Sequence, residues 1–324
     1  MQGTIEVVAA VPTIGSPDGC RRAIAGLLSQ QVPRGVRLTV LVVNNNAVLM
    51  PLALPLTVAV IHEPRQGVSS ARNAAVQFAM ARSADVLAFL DDDEEPADTR
   101  WLARLVAALD ELDCEVTTGP VVSVFGSAAP AWITTQSVFH RKRCPTGTRR
   151  TEAATNNIAF RLDVFGDDGS PFEEALNLIG GEDTHLTRRL AADGARIRWV
   201  DEAVVIEHVP ASRLTGRWVL RRSWRIGSGR AQRLHAGVPG ETCVPKVVVG
   251  SLLEITLGIT IALLCVLASR RIALAAAGRA ARGLGCLFGL AGFRHLEYSG
   301  RGGAVASRSA SPADGSPTRS LPDH

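Results

Sequence analysis

The stretch VLAFLDDDEEP, residues 86–96, runs five apolar residues straight into five acidic ones and a proline. An unbroken apolar run of this length predicts a strand buried on both faces. Asp91, Asp92, Asp93, Glu94 and Glu95 then crowd like charge at the carboxyl end of that strand, which is unfavourable unless a cation or hydrogen-bond donors compensate it. A hard divalent cation is one compensator. A solvated turn that caps a helix beginning near Asp98, with Glu94 and Glu95 as first-turn helix charges, is the other. The surrounding sequence decides between them.

Outward from this stretch, Val- and Ile-rich runs alternate with helical patterns. The expected strands are IEVVAAVP (5–12), RLTVLVVN (37–44), TVAVI (57–61) and EVTTGPVVSVF (115–125), with helices near 18–30, 68–83 and 98–112. This alternation predicts an α/β fold with a mostly parallel sheet covered on both faces. Ligands of such sheets bind beyond the carboxyl ends of the strands. Pro12 and Thr13 follow the first strand, and Asn44, Asn45 and Asn46 follow the second, so three strand ends place polar or acidic groups at one edge.

With 324 residues, 46% hydrophobic and 20% charged, the chain has enough apolar material for one main domain and a smaller appendage. The net charge of +4 comes mostly from arginine, because the lysines are Lys142 and Lys246 alone. Six scattered cysteines without a CxxC pair read as reduced thiols of a cytosolic surface. The amino terminus, MQGTIEVVAAVP, lacks a basic segment followed by a signal-length apolar core, so the main domain is expected on the cytoplasmic side. No P-loop, nucleic-acid module or internal repeat is present, and nucleic acid is excluded as a partner.

Further motifs accompany the acidic cluster: VPTIG (11–15), QGVSSARNAAV (66–76), TNNIAFR (155–161) and GGEDTHLTRRL (180–190). In order and spacing, over roughly residues 5–235, they resemble the family 2 glycosyltransferases of GT-A fold, in particular the bacterial membrane-associated type. The resemblance implies a nucleotide-sugar donor held by Pro12, Thr13, Asn44, Asn45, Arg72, Asp91 and Asp92. It places a divalent metal chiefly on Asp93, with Asp91, and His208 is carried as a third ligand. Asn156, Asn157 and Gly181 fall in its acceptor-side region, Asp183 is its general base and Glu182 the supporting carboxylate.

The chemistry agrees with these residue types. A leaving nucleoside diphosphate gains negative charge, which a bound Mg2+ or Mn2+ offsets. Hard cations of this kind take carboxylate and phosphate oxygens. The acceptor hydroxyl must lose a proton, which requires a carboxylate across the sugar, and one base with a single displacement inverts the anomeric centre. The second strand ends in NNNA where relatives carry acidic residues and Gly-Ser, so the donor base and sugar stay open. A haloacid-dehalogenase phosphatase needs Thr or Val where Glu95 stands. A nucleotidyltransferase of related fold does not predict the GGED helix, and the intact Asp183 argues against a non-catalytic, membrane-attached nucleotide-sugar binder.

Residues 208–240 contain seven arginines and no Asp or Glu. Arg213, Arg217 and Arg221 recur every four residues and are expected on one helical face. Arg221, Arg222 and Trp224 are expected to hold the donor diphosphate, a lipid-linked acceptor phosphate or anionic headgroups. Residues 247–268 carry one charge, Glu254, and are long enough for the ~30 Å hydrocarbon core. Residues 272–296 read as an interfacial helix or the return half of a hairpin, and the tail from Gly300 as disordered. The expected organisation is a catalytic domain over 1–240, a transmembrane or interfacial helical region over 241–299 and a tail over 300–324. It would sit on the cytoplasmic face of the inner (plasma) membrane and act on a glycan or lipid-linked acceptor. The oligomeric state is left open.

Overall fold

A computed structural model of the chain describes residues 4–14, 17–49, 54–177, 180–235 and 243–293. Its first half contains β1 (Ile5–Thr13), α1 (Pro17–Leu28), β2 (Val36–Asn44), β3 (Ala59–His62), α2 (Val68–Ala81), β4 (Val86–Leu90), β5 (Glu94–Pro96), α3 (Trp101–Glu111), β6 (Val116–Thr118) and β7 (Val121–Phe125). There follow α4 (Ala131–Thr134), β8 (Arg149–Arg150), β9 (Asn157–Arg161), α5 (Glu182–Ala192), β10 (Ile197–Trp199), β11 (Val205–Val209), α6 (Gly216–His235), α7 (Val244–Cys265) and α8 (Arg270–Leu290).

The main sheet has eight strands in the order β3-β2-β1-β4-β9-β6-β10-β8. Strands β1 to β4 run parallel, and β9 is inserted antiparallel between β4 and β6. Because side chains alternate along a strand, β1 sends Val7, Ala9 and Val11 into one core layer with α1 and α3, and Val8 and Ala10 into the other with α2 and α5. Burial on both faces is why β4 and the central stretches of β1 and β2 are apolar. A second sheet, β5-β11-β7, stands beyond the carboxyl edge of the first.

The segment 115–125, expected as one strand, divides into β6 and β7, which belong to different sheets. The break falls at Gly119 and Pro120. A Cβ at Gly119 would lie 2.3 Å from the Ala203 carbonyl oxygen, and Pro120 has no N–H to continue a ladder. Glu94 and Glu95 do not open a helix. They form β5, antiparallel to β11, and α3 starts at Trp101. Pro96 favours extended backbone in the residue before it, and Asp98 accepts from the Arg100 amide at 2.8 Å ahead of the helix.

Arg213 ends a short 3-10 turn (Ala211–Arg213) and so does not share a helical face with Arg217 and Arg221. The Thr215 hydroxyl accepts from the Trp218 amide at 3.1 Å and caps α6. At the carboxyl end, α7 and α8 form a hairpin, with Gly258 of α7 against Ala276 and Ala280 and Gly283 of α8 against Ser251. Within the segment 272–296, α8 therefore supplies the return half of the hairpin, and residues 294–296 lie outside the described residues. Among the described residues, α7 is the one helix long and apolar enough to cross a membrane, with a mean hydropathy of 2.2. Residues 300–324, expected as a disordered tail, lie outside the described residues.

Candidate active site

In-register pairing of Thr13 with Asn44 brings the ends of β1 and β2 together, beside the end of β4. The acidic residues leave β4 at this edge, and each finds a different partner. Arg72 Nη2 donates to Asp91 at 3.3 Å, Thr13 Oγ1 to Asp92 at 2.6 Å and Arg213 Nη2 to Asp93 at 3.0 Å. Asn156 Nδ2 donates to Glu94 at 2.5 Å, and His208 Nε2 lies 2.6 Å from Glu95 Oε1. Alternation along β5 separates the last two carboxylates. Glu94 is buried at 3% exposure, whereas Glu95 is turned to β11.

Oxygens of Asp91, Asp93 and Glu94 all lie within 4.8 Å of one another. Glu94 Oε2 is buried and has no hydrogen-bond partner among the described residues. Three carboxylates with one orphaned oxygen suit a hard divalent cation. The sequence reading missed Glu94 because it took the residue for a helix charge. His208 lies outside this group, hydrogen-bonded to Glu95, and Asp92 is turned to Thr13. Burial raises the Glu94 carboxyl well above the usual range, with the Asp91 charge adding to it. Asp91 keeps a side chain 38% exposed, yet it lies deep in the fold. Loss of solvating water raises its pKa too, with Arg72 opposing.

Arg72, on α2, is 5% exposed and forms an ion pair with Glu182 as well as with Asp91. It thereby joins the acidic cluster to the start of α5. Gly180 and Gly181 hold φ of +84° and +90° ahead of that helix. A Cβ at Gly181 would meet nothing within 4 Å, so the left-handed backbone requires glycine there, not lack of space. Glu182 is 4% exposed. Burial pushes its carboxyl up to about 7, against the pull of Arg72 and with the Asp183 charge adding. Asp183 is half-buried, and its Oδ1 accepts from the Thr184 amide at 2.6 Å.

The asparagines divide by role. Asn45 donates to the Glu63 and Arg65 carbonyls, both at 2.8 Å, and accepts from the Gly67 amide at 2.9 Å, which fixes the loop leading to α2. Asn44 is fully buried beside it and accepts from Asn46, while Pro12 lies within β1. Asn156 faces the acidic cluster, and Arg141 Nη1 donates to its Oδ1 at 2.9 Å. Asn157 is turned into the core. It accepts from the Trp101 indole and donates to the Pro120 and Ala203 carbonyls, so no polar group is left for an acceptor. Trp224 packs on Phe288 of α8, ring centroids 5.2 Å apart, and Arg221 and Arg222 lie on the same helix. It is Arg213 that reaches the acidic cluster, shared with Glu207 at 2.9 Å. Arg141 also went unnoticed in the sequence, where the basic run HRKR was its signal.

Residues 9–165 match the profile of the family described as glycosyl transferase family 2. Over this segment, just under half of its length, the chain is similar to that family. It is 29% identical over 245 residues to the succinoglycan biosynthesis protein ExoM of Rhizobium meliloti (strain 1021), covering 71% of this chain and 76% of that protein. Among solved structures it is similar to GalNAc-T7 with UDP, GalNAc and Mn2+, at TM-score 0.52 and 16% identity over 76% of this chain. It spans about half of that protein, 53%. The mannosyltransferase PcManGT from Pyrobaculum calidifontis, in complex with GDP-Man and Mn2+, gives TM-score 0.51 and 17% identity over 87% of each chain. Both likenesses show the GT-A type of α/β fold. This glycosyltransferase thus has its acidic cluster and its GGED helix at one edge of its main sheet.

Proposed function

We propose that the protein transfers a sugar, with inversion, from a nucleoside-diphosphate donor to a hydroxyl of a glycan or lipid-linked acceptor during polysaccharide assembly. The observation that carries this is the single guanidinium of Arg72, which joins the donor-side carboxylate Asp91 to the acceptor-side helix that begins Glu182-Asp183. The similarity to ExoM, whose name places it in succinoglycan biosynthesis, supports the polysaccharide role. GalNAc-T7 with UDP and Mn2+ and PcManGT with GDP-Man and Mn2+ support a nucleotide-sugar donor and a divalent ion.

Asp91, Asp93 and Glu94 are the residues that would hold Mg2+ or Mn2+, and when bound such an ion offsets the charge developing on the diphosphate. His208 is not placed for that role here. Thr13 orients Asp92 toward the nucleotide side, and Asn44 and Asn45 set the loop over which the base would lie. Arg213 supplies a further cation for the phosphates. Asp183 takes the proton from the attacking hydroxyl, and Glu182, held by Arg72, fixes the start of the helix that aims it. The apolar α7 and the arginines of α6 attach the enzyme to the cytoplasmic face of the membrane. The division into catalytic domain, helical region and tail stands as part of the same proposal.

The decisive experiment measures binding of UDP- and GDP-linked sugars by the full-length protein with Mn2+, with Mg2+ and with EDTA, followed by turnover on polysaccharide-precursor acceptors. Metal-dependent binding of one donor class is the expected result. Binding of none, or of all equally with EDTA, would remove the donor reading.

A further inference from the structure

Beside the acidic cluster opens a cleft of about 240 Å³ whose walls include Thr118, Arg141, Lys142, Arg150, Thr184 and Trp199. Its charge is lopsided. Arg141, Lys142 and Arg150 form no ion pair among the described residues, although the Arg141 charge bears on the Asp91 and Glu94 carboxyls nearby, and the one acidic side chain in the wall, Glu152, is held by Arg188 at 2.6 Å. Arg150 lies over the Trp199 ring at 5.8 Å, and its buried Nε has no hydrogen-bond partner among the described residues. A buried guanidinium donor left unpaired is unfavourable unless something in the cleft accepts from it. The cleft also touches both halves of the site already described. Arg141 donates to Asn156, which donates to Glu94, and Thr184 follows Asp183 in the chain.

We infer that this cleft receives an acidic group of the acceptor, a carboxylate or a phosphate, so that the enzyme selects negatively charged acceptors. The inference rests on the reading of Asp91, Asp93 and Glu94 as the donor side. A neutral sugar would be rejected less by clash than by leaving the buried Nε of Arg150 without an acceptor, while the exposed Arg141 and Lys142 add attraction for an anion. Charge-assisted hydrogen bonds from guanidinium and ammonium groups hold an anion with geometric selectivity.

The test titrates the full-length protein, in detergent with EDTA, against two pairs of probes. One pair is a glucuronate-terminated disaccharide and its glucose-terminated counterpart; the other is a short prenyl diphosphate and the corresponding alcohol. Acidic glycan and lipid diphosphate are thereby distinguished as sources of the charge. At least one acidic probe should bind roughly tenfold or more tightly than its neutral partner, as expected for hydrogen bonds to a charged group. Lys142→Gln, at an exposed position that leaves folding intact, should reduce that preference, and Lys142→Gln with Arg150→Gln should abolish it. Equal binding within both pairs, or a preference that survives both substitutions, overturns the inference. Donor binding is measured separately with Mn2+, so failure of the donor reading shows up in a different experiment.

A second inference comes from the packing of the carboxyl-terminal helices. α8 lies between α6 and α7, and its contacts with α6 advance together along both helices: Leu274 by Gly216, Gly278 by Ser223, Arg282 by Gly227 and Gly289 by Ala231. The two helices are therefore parallel and side by side. α6 carries six arginines along its length, from Arg217 to Arg233, and Leu274 ties the start of α8 to the catalytic domain through Ile133, Phe139 and Val209. A hairpin that crossed the bilayer would draw those arginines into hydrocarbon, where charge is strongly unfavourable. α7 exposes Val249, Leu252, Leu253, Leu257, Leu263 and Leu264, while Lys246 stands in its first turn and Glu254, its one charge beyond that turn, is paired with Arg282 at 2.8 Å.

The geometry points to a three-helix layer lying in the plane of one anionic leaflet, with the apolar face of α7 buried in it and arginines at the headgroups. It rests on the membrane attachment proposed above. In membrane vesicles with the cytoplasmic face outward, an impermeant maleimide should label Leu267→Cys, at the 98% exposed turn after α7, as it labels the native Cys243 before α7. Peptide mass spectrometry separates the sites. Labelling of residue 267 from the opposite face alone overturns the layer, and a protein not recovered with vesicles overturns the attachment itself.

Discussion

Replacing Arg72 with Met removes a charge while leaving much of the side chain that packs beside the Phe172 ring, 6.0 Å from the guanidinium. The native guanidinium serves two carboxylates, of which Glu182 is 4% exposed. Removing one partner of a buried pair costs roughly 3–5 kcal/mol when the stranded charge stays ionised. Protonation caps that figure. Glu182 already titrates near 7 with Arg72 present, and without the opposing guanidinium it titrates higher. A carboxyl whose folded pKa lies above its unfolded value of 4.5 is most favourable below that value, and stability declines as pH rises toward the folded pKa. In the wild type the decline stops near pH 7; in the variant it continues at about 1.36 kcal/mol per pH unit. Between about pH 7 and 8.5 the gap between the two proteins should thus widen, by at most about 2 kcal/mol, or up to ~4–8 °C in Tm for a domain of 150–250 residues. Thermal unfolding at about pH 6, 7 and 8.5 in one detergent measures it, with Arg72→Lys as the variant that keeps the charge. A gap that does not change with pH would refute the charge coupling and leave only a packing role for Arg72.

Asp183→Asn should leave donor affinity nearly intact and lower turnover by ~10²–10⁴, the range of a lost general base; calorimetry beside a turnover assay separates the two, and a fall of less than about tenfold would move the role to another group. Asp93→Ala should abolish Mn2+-dependent donor binding, so full affinity in the variant would take the metal away from this carboxylate. Gly119→Ala should destabilise the fold by at least the ~1–3 kcal/mol typical of overpacking, since its Cβ would meet the Ala203 oxygen at 2.3 Å and the Val200 oxygen at 3.0 Å. A denaturation midpoint equal to wild type would show that this backbone yields where the packing says it cannot.

The parallel half of the sheet was legible in the sequence because strand segments buried on both faces are apolar, which is the pattern of β4 and of residues 7–11 of β1 and 40–43 of β2. The second sheet was not. β5 is three residues long, two of them charged, and the pairing with β11 that makes it a strand is distant in sequence. Propensity favours no strand there; the partner decides. Asn156 and Asn157 illustrate the same limit within one motif. Both are adjacent polar residues at a strand start, and alternation sends the first to the acidic cluster and the second into the core. Arg213 was noted for its spacing, but Thr215 caps the helix two residues later and frees Arg213 for Asp93.

The charge at the end of β4 is dispersed before it is concentrated. Asp92 turns to Thr13 and Glu95 to His208, so two of the five carboxylates leave the centre. Asp91, Asp93 and Glu94 converge. The two guanidiniums that touch them are each shared with a further carboxylate, Arg72 with Glu182 and Arg213 with Glu207. In direct contact, then, two cations serve four carboxylates, and Glu94 beside them is held by Asn156 alone. The protein alone has one way to relieve that excess, which is to keep protons on its most buried members, and Glu94 and Glu182 are the two whose burial drives their pKa values furthest upward. A divalent cation offers the other way, and it acts in the opposite direction by favouring the ionised carboxylates. The sequence concentrates acid at one strand end more heavily than a helix cap needs, and the folded chain gives each of these carboxylates a partner; among the described residues one buried oxygen of Glu94, like one of Glu182 at the start of α5, has none. That Glu94 oxygen, buried and converging on Asp91 and Asp93, is what separates a cation site from a solvated turn.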